Sequence, residues 1–225
     1  MLNSRGKVQI ACLGASTVYG VGGTKGGWPE LLKYELHQKM YVPDGIGEYY
    51  EVYNFGIPGS TLSGLHDQTE TNLKSIRKRG RQFISIFHGG ANNALAIGSR
   101  DNFVSTPEKF RHEVTSYLEM VQSLSDHVLC LGMMPMNQNK VMPKIKNDEA
   151  QTKIYFSNER IKEFETIIGE VAQSLKITFI ALFDEGMSLG WSESYQYDDG
   201  IHPNDQGHAW LYQKVKAKLQ KIVEL

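Results

Sequence analysis

Five short apolar runs decide most of what this chain can fold into: KVQIACL (7–13), YYEVYNF (49–55), QFISIFH (82–88), HVLCLGM (127–133) and ITFIALF (177–183). Each is rich in Val, Ile, Phe or Tyr and is bounded by Gly, Pro or charge, as strands are. Most lack the polar alternation of a half-exposed sheet, so they read as strands covered on both faces. Between them run apolar stripes at near-helical spacing: Leu62, Leu65, Leu73 and Ile76; Phe110, Val114, Tyr117, Val121 and Leu124; Ile161, Phe164, Ile168, Val171 and Leu175; Leu211, Val215, Leu219 and Ile222. Thr106-Pro107 supplies an N-cap followed by Pro at the first helical position. A shorter helix is expected from Trp28-Pro29 to about Lys39. Strand and helix alternate along all 225 residues, which predicts an α/β fold: one domain over 1–225, built on a parallel sheet with helices on both faces.

Charge and composition narrow the function classes. The formal net charge is −1, and RKRGR (77–81) is the one short basic run. A nucleic-acid partner is therefore not expected, and the run suits a helix C-terminus capped by Gly80. No stretch approaches the roughly 18 apolar residues of a membrane span. The N-terminal MLNSRGKVQIACLG reaches its apolar part too early for a signal peptide, so a cytoplasmic location is the default expectation. Cys12 and Cys130 each sit in an apolar run and show neither metal spacing nor a disulfide framework, which reads as two buried free thiols. MPMNQNKVMPKIKNDEA (134–150) is longer than most strand–helix connections, and is either a lid over a cleft or a surface loop.

Ligands of open α/β sheets bind outside the carboxyl ends of the strands, so the segments after each run carry the chemistry. After the first comes LGASTVYGVGGTKGGW (13–28), a glycine-rich loop bearing Ser16. It matches neither G-x-x-x-x-G-K-[ST] nor G-x-G-x-x-G. It also misses the G-x-S-x-G elbow, because Val18 stands at the second glycine. What remains is G-x-S-x-x-x-G, a turn or a nucleophile. In NFGIPGSTL (54–62), Gly59 either makes a tight turn or lets a backbone N–H approach a developing oxyanion. In HGGANNA (88–94), Asn92 is either a turn residue or a side-chain donor to the same oxyanion. Last comes DDGIHPNDQGH (198–208). Of seven histidines, His202 is the one with a carboxylate, Asp199, at a spacing that a short loop folds into a hydrogen bond. Asp198 is the runner-up carboxylate. No metal-ligand spacing occurs, and neither a metal nor a cofactor is expected.

These four segments, in this order, resemble the signature blocks of the SGNH hydrolases, also called GDSL esterases and lipases. Gly14-Ala15-Ser16-Thr17 matches G-D-S-L, Asn54 through Gly59 matches N-x-x-x-x-G, Gly90-Ala91-Asn92-Asn93 matches G-x-N-D, and Asp199 through Pro203 matches D-x-x-H-P. The blocks span nearly the whole chain. Ala15 and Asn93 depart from it, each standing where the family has Asp. The resemblance implies a three-layer α/β/α sandwich, flavodoxin-like, with five parallel strands in the order 2-1-3-4-5. That order would separate Cys12 from Cys130 by the third strand, too far for a disulfide.

The resemblance also implies a serine hydrolase. Ser16 would be the nucleophile, His202 the base and Asp199 the residue that fixes its tautomer. The oxyanion would be received by the N–H groups of Ser16 and Gly59 and by the Asn92 amide. The expected substrate is a small acyl ester, such as an acetylated carbohydrate or a short-chain lipid. Trp191 and Tyr195, which precede the Asp-His segment, are candidate substrate contacts as well as candidate packing anchors. An acyltransferase or thioesterase would use the same triad. A ligand-binding member that has lost activity is the alternative towards which Ala15 and Asn93 point.

Overall fold

The five apolar runs form one sheet. The computed structural model describes residues 7–43, 45–146 and 149–223. Strands β1 (Lys7–Gly14), β2 (Tyr49–Gly56), β3 (Gln82–His88), β4 (His127–Leu131) and β5 (Thr178–Ile180) pair in the order 2-1-3-4-5. Every neighbouring pair is parallel, as expected.

Side-chain alternation along β1 divides the core. Val8, Ile10 and Cys12 face one way, with Ile84, Ile86, Leu129 and Leu131, against helices α2 (Trp28–Met40) and α10 (Asp205–Leu219). Ala11 and Leu13 face the other way, with Phe83, Phe87 and Cys130, against α3 (Leu62–Ile76), α5 (Pro107–Ser123) and α7 (Asn158–Ser174). Period-2 strands sandwiched between helical stripes therefore give three layers. Cys12 and Cys130 are buried free thiols on opposite faces, with β3 between their strands.

Register positions the working end of the sheet. Gly14 lies opposite Gly56 on β2 and opposite His88 on β3, and His88 lies opposite Leu131 on β4. Four strands thus finish flush, and the segments that follow emerge side by side. Gly14 is required here. A Cβ at this position would fall 2.0 Å from the His88 carbonyl oxygen, so no side chain fits between the two strand ends.

The fifth strand is shorter than its apolar run. Leu182 and Phe183 turn their N–H groups to the carboxylate of Glu165, at 2.7 and 2.9 Å, and Phe183 opens the short helix α8 (Phe183–Ser188). Met133 N–H reaches the same oxygen at 3.2 Å. A buried carboxylate on α7 thus collects the donors that the ends of β4 and β5 leave over.

The long connection after β4 is neither a free loop nor a bare lid. It contains a helical turn, Gln138–Val141, and the strand Lys144–Ile145 pairs antiparallel with Lys153–Tyr155. That strand in turn pairs with Ala96–Ile97 from the segment after β3. The resulting three-stranded flap forms a side wall at the carboxyl end of the main sheet.

Candidate active site

Ser16 opens a four-residue helix, α1 (Ser16–Tyr19), directly beyond Gly14. Its backbone N–H lies in a first turn, where N–H groups have no intrahelical partner. Asn54, near the end of β2, holds this helix. Its Nδ2 donates to the Val18 carbonyl at 2.8 Å and to Glu30 at 2.6 Å, and its Oδ1 accepts from Gly56 N–H at 3.0 Å.

Two more segments converge beside it. Ile57-Pro58-Gly59-Ser60 is a tight turn closed by Ser60 N–H on the Ile57 carbonyl at 3.2 Å. Gly59 has φ +79° with open space where a Cβ would be, so backbone conformation and not crowding calls for glycine. Asn92 lies on the short helix α4 (Ala91–Ala94). One of its amide protons goes to the Ser60 carbonyl at 2.9 Å, which fixes the side chain against the Gly59 turn and leaves the second proton over.

Asn93, where a carboxylate was expected from the resemblance, accepts from Leu62 N–H at 3.0 Å. It donates to Ser105 Oγ at 3.1 Å and to Glu113 at 2.8 Å. Glu113 thus restores a negative charge next to the position where Asn93 lacks one.

The fourth segment arrives from the far end of the chain. His202 Nε2 lies 2.8 Å from Ser16 Oγ, and His202 Nδ1 lies 2.5 Å from Asp199 Oδ2. The other oxygen of Asp199 accepts from Ile201 N–H at 2.9 Å and His202 N–H at 3.0 Å. Burial works against the charged carboxylate. Hydrogen bonds from the His202 ring and from the two N–H groups outweigh it and hold the carboxyl at about 2. Lys144 of the flap donates to the Asp199 carbonyl at 2.6 Å. Asp198, the runner-up, projects into solvent and pairs with Lys140 at 2.5 Å. It does not face the imidazole.

The two segments are also clasped away from the reacting atoms. Asp205 on α10 accepts from Thr24 N–H at 2.7 Å and Thr24 Oγ1 at 2.6 Å. His208 accepts from Trp28 N–H through Nδ1 at 3.3 Å and donates from Nε2 to the Val21 carbonyl at 3.0 Å. Burial pushes the His208 pKa down and so favours the neutral ring that this pair of bonds needs. No local pattern marks His208, because its partners lie 180 and 187 residues away.

Ser16, Gly59, Asn92 and His202 all line one cavity of about 400 Å³. Its remaining walls are mostly apolar: Leu95, Met133, Met136, Ile154, Phe156 and Ile201 among them. Four of these, Met133, Met136, Ile154 and Phe156, come from the stretch between β4 and α7, and nothing in the local pattern marks them as site residues. Trp191 and Tyr195 are not among the lining residues. Trp191 is buried, stacked on Tyr195 at 5.4 Å and edge-on to Trp210 at 5.3 Å. Of the two readings of this pair, the structure places it in packing: it seats the His202 segment on α10, as large aromatic surfaces usually do. Among the described residues no group of His, Cys, Asp or Glu is arranged to hold a metal ion, and no helix is long and apolar enough to cross a membrane.

Comparison with known proteins adds to this geometry. The model of the GDSL-like lipase/acylhydrolase family matches residues 12–210. No match is found among curated proteins. Among solved structures, a lipase/acylhydrolase from Enterococcus faecalis superposes with TM-score 0.72 at 17% identity, with 95% of each chain covered. TesA superposes with TM-score 0.68 at 21% identity, covering 96% of this chain and 99% of its own. Est24, a carbohydrate acetylesterase from Sinorhizobium meliloti, gives 0.66 at 17% identity, covering 96% and 100%. At these identities the likeness is one of fold.

Proposed function

This chain belongs to the GDSL-like lipase/acylhydrolase family, and we propose that it hydrolyses carboxylic esters through an acyl-enzyme formed on Ser16. A serine hydroxyl is a weak nucleophile until a base removes its proton. The observation that carries the reading is the 2.8 Å contact between Ser16 Oγ and His202 Nε2, groups 186 residues apart in the chain. In this reading His202 takes the proton as Oγ attacks the ester carbonyl. Asp199 holds the ring in the tautomer with Nδ1 protonated, and its negative charge stabilises the imidazolium. The carbonyl oxygen becomes an oxyanion and is received by the N–H groups of Ser16 and Gly59 and the second amide proton of Asn92. The alcohol departs with the proton from His202, and water, activated by the same ring, releases the acid.

The walls of the cavity support an apolar acyl chain, as in a short-chain lipid, over an acetylated carbohydrate. A methyl group would leave Met133, Met136, Leu95 and Phe156 without contact. Each buried methylene contributes about 0.8 kcal/mol, so kcat/KM should rise roughly fourfold per carbon from acetyl towards hexanoyl esters. An acyl-transfer or thioesterase variant would keep the same residues and differ only in acceptor or leaving group.

The test is release of p-nitrophenol from a series of acyl esters. Ser16→Ala and His202→Ala should each abolish it while leaving the thermal melt in place. Activity persisting in Ser16→Ala removes the assignment. A series in which acetyl is the best substrate removes the acyl-chain reading alone.

A further inference from the structure

The flap that walls the cavity has an inner and an outer side. Across it Lys144 pairs with Ile154 and Ile145 with Lys153, and Lys146 N–H continues the ladder to the Thr152 carbonyl at 2.9 Å. Side chains alternate along such a ladder. Lys144, Lys146 and Ile154 therefore share one side, the side on which Lys146 and Ile154 line the cavity. Ile145 is turned outward and is 48% exposed.

Three lysines of this connection approach the site, and two are already engaged. Lys140 pairs with Asp198, and Lys144 donates to the Asp199 carbonyl and lies 3.8 Å from its carboxylate. Lys146 has no carboxylate partner among the described residues. Among the described residues that line the cavity it is also the one Lys, Arg, Asp or Glu. Lys146 lines the cavity but is itself exposed, so an anion pairs with its ammonium weakly and in a salt-dependent way. The ammonium also offers a place for a charge that a wholly apolar pocket would reject.

We propose that Lys146 selects the substrate: it binds an anionic group, carboxylate or phosphate, carried by the ester at the end of the apolar segment that fills the cavity. This rests on the ester-hydrolase reading above. The charge can sit on the acyl chain or on the alcohol, and the chemistry recognised is the same.

Two pairs of matched esters separate these sources. The first compares mono-p-nitrophenyl suberate with p-nitrophenyl octanoate, by p-nitrophenol release. The second compares 1-octanoylglycerol 3-phosphate with 1-octanoylglycerol, by titration of the acid formed. For each pair the ratio of kcat/KM, charged over neutral, is measured in the wild type, Lys146→Gln and Lys146→Glu, at low and high salt.

In at least one pair the ratio should fall about three- to fivefold in Lys146→Gln and further in Lys146→Glu, the upper end of what one exposed ion pair supplies. The wild-type ratio in that pair should shrink with salt. The pair that responds identifies the side of the ester that carries the charge. Ratios within twofold of wild type in both variants and both pairs overturn the proposal. A wild type that hydrolyses none of the four esters removes the ester reading itself and this inference with it. Neutral esters hydrolysed normally, with ratios insensitive to residue 146, remove this inference only.

Discussion

Two carboxylates, one on the edge strand β2 and one beyond the carboxyl ends of the strands, are held at about 2, and by opposite means. Glu51 on β2 has burial working against it, overcome by Lys78 and Arg81, with Tyr53 and Tyr49 donating as well. The cations stand at 2.7 and 2.5 Å, and Gln9 adds a further bond at 2.7 Å. That cluster is closed: its negative charge is already neutralised by neighbours that never change. Asp199 is stabilised by two backbone N–H groups and an imidazole, and its nearest lysine ammonium is 3.8 Å away. Its charge remains available for the imidazolium that forms only during reaction. A low carboxyl pKa by itself therefore does not separate structure from catalysis. The nature of the donors does.

The sharpest way to break this contrast is to neutralise each carboxylate in turn. Asp199→Asn keeps the shape but presents an amide to Nδ1, favouring the wrong tautomer of His202. It should lower kcat by about 10³–10⁴-fold with the melting curve little changed. A loss below tenfold would place Asp199 with Glu51 as a structural group. At the carboxyl ends of the strands, Asn92→Ala should reduce kcat on the order of 10²-fold with little change in KM, because the donor acts on charge that exists only in the transition state. An effect confined to KM would make Asn92 a substrate-positioning group.

Charge balance at the same strand ends yields a smaller, structural effect. Asn93→Asp restores the carboxylate of the family pattern but sets it against Glu113, at the 2.8 Å now spanned by a hydrogen bond. Stability at neutral pH should fall by on the order of 1–2 kcal/mol, and Glu113→Gln in the same chain should recover it. A stable Asn93→Asp single variant would mean that Glu113 is not the compensating charge.

Glu51→Gln should have the smallest effect, about 1 kcal/mol of stability with unaltered kcat/KM. The group's carboxyl lies near 2 in the fold against 4.5 in the free side chain. The stability it supplies is therefore complete above about pH 4.5 and is lost as pH falls towards 2. Thermal melts across that range should lose part of their pH slope in the variant.

What could be read in the sequence follows how local each signal is. Ser16, Gly59, Asn92 and the Asp199–His202 pair lie immediately after strands or within a few residues of one another, so strand ends and short spacings pointed to them. The sheet order needed the family resemblance, since apolar runs carry no record of their neighbours. The flap escaped because it is stabilised by pairing between Lys144–Ile145, Lys153–Tyr155 and Ala96–Ile97, strands of two or three residues with no period to detect. Glu165 is one polar position among several on α7, and only the folded chain brings the donors of Met133, Leu182 and Phe183 to it. Trp191 admits two readings for the converse reason. Its place in sequence is beside the site, while its surface area carries it into the aromatic stack under α10.

The grip of Asp205 and His208 on Thr24, Val21 and Trp28 has a further consequence. During a turnover the link between hydroxyl and imidazole must be given up and remade, so it is ill suited to keep the two arms of the chain in place. Here that duty falls to bonds which no step of the reaction disturbs. The moving proton is thereby relieved of any mechanical task.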